Sequence, residues 1–321
     1  MITRQTFINV GLLSLVSFFW GSQFVVYRHA ADHLSDSAIS FYSFVLAIII
    51  LTPFMVFERR SAARVRGARS ARPFQFGSFL LLGAAILPPS IGASWGIEHS
   101  TGSNGAILYL TLPIFMLVLS VPVLGERLTW PRIAMLLLAM VGAYLVSRED
   151  FLAGKFTTST LLGNLAILSA VVGSALYNTY SKRVLAHYSE LEVMFYSYGV
   201  AALLCAAASL LIDRKPFFDV VGLPLSTWLA IGALGSVIWG ISVVLFLWLL
   251  KRVDIAEVSI SLYLQSFFGV VLSVLLLGER LRLPQIAGGL IVLISTFLAG
   301  AFGTPPPKAS ASEQQRVSRA G

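Results

Sequence analysis

Charged residues are scarce in this sequence. Only 12% of its 321 residues are Asp, Glu, Lys or Arg, whereas a soluble globular domain contains roughly 25%. Because 57% of the residues are hydrophobic and the mean hydropathy is +0.83, most of the protein surface is not suited to water. The low charge content excludes an ordinary soluble fold.

Several chemical groups are also rare or absent. The single cysteine, Cys205, excludes an internal disulfide, and no phosphate-binding pattern G-x-x-x-x-G-K-[ST] occurs. No charged side chain falls in the middle of a long hydrophobic run, which disfavours strongly anionic substrates because these need a fixed positive charge. We therefore expect no ATP-driven transport by this chain alone and no cofactor.

The hydrophobic residues are grouped into ten long runs. Each run approaches the roughly 20 residues that a helix needs to cross a bilayer, where the backbone must satisfy its own hydrogen bonds. None of the runs alternates as the strand of a membrane barrel does. We predict an all-α integral membrane protein with ten transmembrane helices, at residues 8–27, 37–57, 76–96, 103–124, 131–147, 161–181, 190–212, 226–250, 255–277 and 283–302.

The basic residues indicate an orientation. If the N-terminus is cytoplasmic, the inner connections hold 16 of the 23 Lys and Arg residues, six of them in the segment Arg59–Arg72. The positive-inside rule then predicts that both termini are cytoplasmic. We expect this segment to meet anionic lipid head groups, and we expect no nucleic-acid partner despite the net charge of +8.

An internal repeat divides the chain. Residues 124–134 (LGERLTWPRIA) recur as residues 277–287 (LGERLRLPQIA), and the offset of 153 holds from Trp95/Trp248 to Leu145/Leu298 with 17 identities in 51 positions. Five helices per copy is an odd number, so the second copy must enter the membrane from the opposite side. We predict inverted repeats at residues 8–147 and 161–302, an outer linker at 148–160 and a disordered cytoplasmic tail at 303–321.

Three segments carry a resemblance to a known family: FWGSQFV at 18–24, the run ending in GERL at 100–128, and its counterpart at 253–281. In these segments the chain resembles the drug/metabolite transporter superfamily, specifically proteins with two EamA domains. The resemblance implies an inner-membrane exporter of amino acids, nucleosides or similar metabolites. It also implies that the fourth and ninth helices form walls of the substrate cavity.

The repeated GERL block predicts a structural corner. Its glycine suits a left-handed residue at a helix C-terminus, and its proline suits the first turn of the next helix. Its glutamate can bond to the exposed amides of that turn or pair with a neighbouring Arg, and a gating ion pair is the alternative. The corner residues are Gly125, Glu126, Arg127, Pro131, Gly278, Glu279, Arg280 and Pro284.

Polar and aromatic residues within the spans are candidates for the substrate cavity, because polar groups in a membrane usually face the bundle interior. Glu257, Ser261 and Gln265 are four residues apart and form one polar stripe on the ninth helix. The repeat pairs Glu257 with Asn104. A neutral or zwitterionic solute suits such a cavity. The other candidates, each with helix packing as the alternative, are Trp20, Ser22, Gln23, Trp95, Tyr109, Thr111, Tyr177, Asn178, Trp239 and Tyr263.

Two sequence patterns would fit a function other than export. Residues 92–96 match G-x-S-x-G, with Ser94 as the nucleophile of an intramembrane hydrolase, but such an elbow should follow a strand. Two His and two Asp between His29 and Asp36 could bind a metal, although a solvated loop is the ordinary explanation. We expect neither an enzyme nor a metal site. Import of similar solutes, a membrane protein without flux, and the oligomeric state stay open.

Overall fold

Long apolar helices make up the chain. The structure, a computed structural model, describes residues 4–66, 75–125, 130–152, 158–212, 222–250 and 255–301, and no strand occurs among them. The helices are α1 (Arg4–Ala30), α2 (Asp36–Arg66), α3 (Phe76–His99), α4 (Gly102–Leu124), α5 (Trp130–Leu152), α6 (Thr158–Val184), α7 (Glu190–Ile212), α8 (Leu225–Leu250), α9 (Ile255–Leu277) and α10 (Leu283–Ala301).

Six of the described helices are long and apolar enough to cross a membrane by length and composition: α2, α3, α4, α6, α7 and α8. The apolar parts of α5, α9 and α10 that the structure describes are shorter. The predicted all-α membrane protein is confirmed. The count of ten spans and the inversion of the two copies stay predictions. The tail at 303–321 lies outside the described residues.

The helices that pack most extensively join the two halves of the chain. Helix α2 packs against α7 and α5 against α10, and each of these pairs unites equivalent helices of the two copies. Helix α1 packs against α9 just as its counterpart α6 packs against α4. Each of these contacts therefore has a counterpart when α1 to α5 are exchanged with α6 to α10 in order.

Two glycines at equivalent positions of the copies allow close approaches between helices. A Cβ atom on Gly21 would lie 2.8 Å from the carbonyl oxygen of Gln265, and one on Gly173 would lie 2.7 Å from the carbonyl oxygen of Ala85. Real Cβ atoms are not found so close to a backbone oxygen, so only glycine fits at either position. Gly21 thus brings α1 against α9, and Gly173 brings α6 against α3.

Helices α3 and α8 are not regular throughout. Each contains a π-helical segment, Pro88–Gly92 in α3 and Ala233–Ile241 in α8. In α8 the hydroxyl of Ser242 donates to the carbonyl of Val237, five residues earlier, at 2.6 Å. Wide turns of this kind are rare and frequently occur at functional sites. The sequence had predicted ordinary helices in both places.

The glycines of the repeated block end α4 and α9. Gly125 has φ of 73° and Gly278 has φ of 67°, and no other described residue has a positive φ. This left-handed conformation suits glycine because it has no Cβ atom. It agrees with the corner that the sequence predicted.

Candidate functional site

A cavity lies in the interior between α1, α3, α4, α6, α8 and α9. Its polar surface comes from two Trp, two Tyr, three side-chain amides and one serine, and none of its described lining residues is charged. The lining residues are Trp20, Gln23, Ile86, Pro89, Tyr109, Leu112, Ser174, Tyr177, Asn178, Ile238, Trp239, Val243 and Gln265.

Seven of the candidates from the sequence line this cavity: Trp20, Gln23, Tyr109, Tyr177, Asn178, Trp239 and Gln265. Ser174 also lines it and was not a candidate. The repeat held a signal for it, because Gly21-Ser22 in α1 recurs as Gly173-Ser174 in α6. The apolar lining residues carry no signal of their own that separates them from other apolar residues of the spans.

Four other candidates lie outside the cavity lining and make contacts within the protein. The hydroxyls of Ser22 and Thr111 each donate to a backbone carbonyl one turn earlier, both at 2.7 Å. The ring of Trp95 stacks on His99, with the ring centroids 4.1 Å apart. Tyr263 packs against a small apolar cluster formed by α4, α5 and α10.

Asn104 is fully buried near the start of α4 and also lies outside the cavity lining. Its Oδ1 accepts a hydrogen bond from Nε2 of Gln285 at 2.7 Å, and its Nδ2 donates to the hydroxyl of Ser100 at 3.1 Å. The amide is thus bound within the protein. The side chains of Glu257 and Ser261, on the first turns of α9, lie outside the described residues.

Glu279 of the repeated block bonds to a different helix from the one expected. Its two carboxylate oxygens accept hydrogen bonds from the backbone N–H groups of Gly102 and Ser103, each at 2.8 Å, at the start of α4. The expected partner was the first turn of α10. That turn is instead capped by Gln285, whose Oε1 accepts from the N–H of Arg282 at 2.9 Å.

The reason for this difference is helix packing. Helix α9 packs against the first turns of α4, and the left-handed Gly278 lies at the end of α9 just before Glu279. A negative charge at a helix N-terminus meets unpaired N–H donors and the positive end of the helix dipole.

The other residues of the repeated block lie at or near the surface. Arg280 is exposed, as is Pro131 on α5, and Pro284 is half-buried in the first turn of α10. Glu126 and Arg127 lie outside the described residues.

One wall of the cavity is an aromatic cluster around Trp239, within the π-helical segment of α8. The indole Nε1 donates to the hydroxyl of Tyr27 at 2.9 Å, and the Tyr198 hydroxyl donates to the Trp239 carbonyl at 2.8 Å. The ring of Phe44 packs edge-on against the indole, with the centroids 5.4 Å apart. Because Tyr27, Tyr198 and Phe44 are fully buried, they hold the indole in one orientation.

One pair of equivalent positions of the two copies meets in the cavity. The offset of 153 pairs Leu112 with Gln265, and both residues line the cavity. The first copy supplies an aliphatic side chain at this position, and the second supplies an amide.

The described residues do not form the geometry of a serine hydrolase site around Ser94 or of a metal site. Ser94 lies within helix α3, after a π-helical segment and not after a strand, and it is 1% exposed. No group of three or more His, Cys, Asp or Glu side chains that could hold a metal occurs in the part of the chain that the structure describes.

Comparison with known proteins identifies relatives over nearly the whole chain. The model of the EamA-like transporter family matches twice, at residues 8–148 and 161–301. A "Probable terminal-alkyne amino-acid exporter" of Streptantibioticus cattleyicolor is 26% identical, over 87% of this chain and 89% of its own length. An "S-adenosylmethionine uptake transporter" of Rickettsia conorii is 22% identical, over 92% of each chain. A protein crystal structure has the same fold, with a TM-score of 0.62 at 16% identity, over 94% of this chain and 99% of that one.

Proposed function

Because the chain belongs to the EamA-like transporter family, whose members are transporters and not enzymes, we propose that it exports small metabolites across the bacterial inner membrane. The solutes are neutral or zwitterionic, such as amino acids or nucleosides, and they move by alternating access. The observation that carries this proposal is the cavity lined by aromatic rings and amides, in which none of the described lining residues is charged. A solute with a net charge would lose hydration there without gaining an opposite charge.

The two copies supply the alternating movement in this proposal. Residues 8–147 and 161–302 form inverted five-helix repeats, with ten spans in all and an outer linker at 148–160. The reciprocal packing of the helices supports this division, as does the equivalent pair of Leu112 and Gln265, both of which line the cavity. Two similar halves can exchange conformations around a shared site, which is a recurring arrangement in secondary transporters.

Export is proposed because the family resemblance implies an exporter and because one relative is named as an exporter. Import of similar solutes is the second candidate, and the relative named as an uptake transporter favours it. Both directions use the same cavity. Direction depends on the gradient that drives the cycle, which the fold does not fix.

The basic segment Arg59–Arg72 is proposed to contact anionic lipid head groups at the cytoplasmic surface. Arg59 is half-exposed, forms an ion pair with Glu192 at 3.6 Å and donates to the hydroxyl of Tyr196. Arg60 is exposed. An exposed pair of this kind contributes little to stability, so lipid phosphates can compete with Glu192 for Arg59, while the Arg60 guanidinium faces solvent. The side chains of residues 61–72 lie outside the described residues.

Flux in proteoliposomes tests the proposed function. Purified protein is reconstituted, and the uptake of a panel of labelled amino acids, nucleosides and sugars is compared with that of protein-free liposomes. We expect saturable flux of at least one amino acid or nucleoside. Flux of none of these solutes, with protein that is monodisperse and correctly inserted, would contradict the proposal and favour a membrane protein without transport activity.

A further inference from the structure

A chain of hydrogen bonds joins three helices near one end of the bundle. The hydroxyl of Ser100, just before α4, donates to Oδ1 of Asn164 on α6 at 2.6 Å and accepts from Nδ2 of Asn104 on α4 at 3.1 Å. Oδ1 of Asn104 accepts in turn from Nε2 of Gln285 on α10 at 2.7 Å. We call these four side chains, Ser100, Asn104, Asn164 and Gln285, the polar joint.

The polar joint crosses the boundary between the two copies. Helix α4 and the connection before it belong to the first copy, whereas α6 and α10 belong to the second. The first copy is therefore held from two sides. The repeat does not carry the same groups to the other end, because the positions equivalent to residues 100, 104 and 285 hold Val253, Glu257 and Arg132. The joint is thus particular to the end where α4, α6 and α10 begin.

The polar joint lies between the cavity and this end of the bundle. Asn104 precedes Tyr109 of the cavity wall by five positions on α4, and Asn164 precedes Ser174 by ten on α6. These separations correspond to roughly 7 and 15 Å along a helix. In the proposed topology all three helices begin at the outer face. A path from the cavity to the outside along α4 and α6 therefore passes the joint.

This end of the bundle is closed in the structure. The three amides of the joint are 0%, 2% and 7% exposed, in the order Asn104, Asn164 and Gln285. A Cβ atom on Gly96 of α3 would lie 2.7 Å from the carbonyl oxygen of Gly163 on α6, so these two backbones touch. Helices α3, α4 and α6 thus leave no room for a solute to pass between them here.

Hydrogen bonds between neutral groups suit a contact that opens and closes. When such a contact opens, water replaces each lost bond, so one bond favours the closed arrangement by only about two- to tenfold. Apolar packing of similar area would be exposed to water on opening and would resist it more strongly. The closed arrangement is nevertheless specific, because each donor has to meet its own acceptor.

We propose that the polar joint is the outer gate of the transport cycle. It holds the first copy against α6 and α10 while the outer end is closed, and its bonds break when the cavity opens to the outside. Ser100 is the central group, because its hydroxyl bonds to Asn104 of its own copy and to Asn164 of the other. The inference rests on the proposed function and orientation, but its test needs no solute.

Access to a reporter cysteine tests the gate. Leu112→Cys, in a Cys205→Ala background, places a thiol on a residue of the cavity wall, eight positions after Asn104 on α4. Its reaction with a membrane-impermeant maleimide is timed from the outside in intact cells and from the cytoplasmic side in inside-out vesicles. Ser100→Ala or Asn164→Ala should raise the outside rate about tenfold, since each leaves a partner in the joint unpaired while the gate is closed. The rate from the cytoplasmic side should not rise.

Two further variants serve as controls. Ser295→Ala makes the same change on α10, where the buried hydroxyl donates to the carbonyl of Val292 in the same helix at 2.8 Å, and it should leave both rates unchanged. Ser100→Thr keeps the hydroxyl and should label at the rate of the parent. Each variant is labelled only where size-exclusion chromatography shows a monodisperse protein. Ser100→Ala and Asn164→Ala change different helices or connections, so either one tests the gate if the other does not fold.

A joint that only stabilises the fold would respond differently. Its loss would loosen the bundle and raise both rates together, and that result would overturn the proposal. An outside rate that stays unchanged in both alanine variants would also overturn it, as would a rise confined to the cytoplasmic side. Faster outside labelling without flux in proteoliposomes would contradict the proposed transport function and leave the gate standing. Flux by the parent, with unchanged labelling in both alanine variants, would do the reverse.

Discussion

The carboxylate of Glu279 accepts a hydrogen bond from the backbone N–H of Gly102 at 2.8 Å, although 177 positions separate the two residues. Its second oxygen accepts from Ser103, so one side chain caps the N-terminus of α4 with both oxygens. In the proposed topology this contact lies at the outer face. It joins the connection after α9 to the first helix turn of the fourth span, across the boundary between the two copies.

Removal of this cap should destabilise the protein. Glu279→Ala leaves two N–H donors without their partner, and a lost helix cap costs about 1–2 kcal/mol. Thermal unfolding in detergent measures the effect. Glu279→Gln keeps one acceptor and should lie between the parent and the alanine variant. Arg280→Ala changes the exposed neighbour and serves as the control. Equal unfolding temperatures for Glu279→Ala and Arg280→Ala would contradict this role.

The buried pair of Asn104 and Gln285 should show energetic coupling. Replacement of either amide by leucine leaves the other buried without the partner it now has at 2.7 Å, which costs roughly 1–3 kcal/mol. The double variant removes both groups and should destabilise less than the sum of the two single variants. A double-mutant cycle on unfolding free energies measures this coupling. Strictly additive effects would show that the two amides do not depend on each other.

The inversion of the two copies predicts opposite labelling of equivalent connections. Asp32, between α1 and α2, and His187, between α6 and α7, are both exposed. Cysteines at these positions, in a Cys205→Ala background, should react with a membrane-impermeant maleimide from opposite sides. We expect Asp32→Cys to react in intact cells and His187→Cys only after permeabilisation. Reaction of both from the same side would contradict the inversion.

Glu257 is predicted to take part in transport. It occupies the position of the second copy that corresponds to Asn104 of the first, and it begins the polar stripe that ends at Gln265. Glu257→Gln keeps the size of the side chain and removes its charge, and it should lower flux several-fold while expression is unchanged. Glu98→Gln, which changes an exposed glutamate at the end of α3, is the control. Unchanged flux in proteoliposomes would remove Glu257 from the mechanism.

The parts of the fold that depend on local chemistry could be predicted from the sequence. Helices are predicted from the apolar runs, because the backbone N–H and C=O groups of a run in lipid must hydrogen-bond to each other. The left-handed conformation of Gly125 and Gly278 is predicted from a glycine at a helix end that precedes a helix with proline in its first turn. Side-chain amides within the spans are few, so a search for them finds Gln23, Asn178 and Gln265 directly.

The parts that depend on which helices touch could not be predicted. The partner of Glu279 is set by the packing of α9 on α4, which the residues of the corner do not encode. Asn104 and Gln265 are both amides within spans, yet the first is bound within the protein and the second lines the cavity. The π-helical segment Ala233–Ile241 likewise depends on tertiary contacts, because its composition also permits regular helix.

The central claim is that a solute passes through the cavity between the two copies. It is tested most directly by exchange in proteoliposomes preloaded with unlabelled L-phenylalanine, in which entry of labelled L-phenylalanine is followed for the parent and for Gln265→Leu. We predict saturable entry by the parent that preloading accelerates, and a fall of about tenfold or more in the variant at solute concentrations below KM. Entry no faster than in protein-free liposomes, or equal entry by the parent and the variant, would contradict the account.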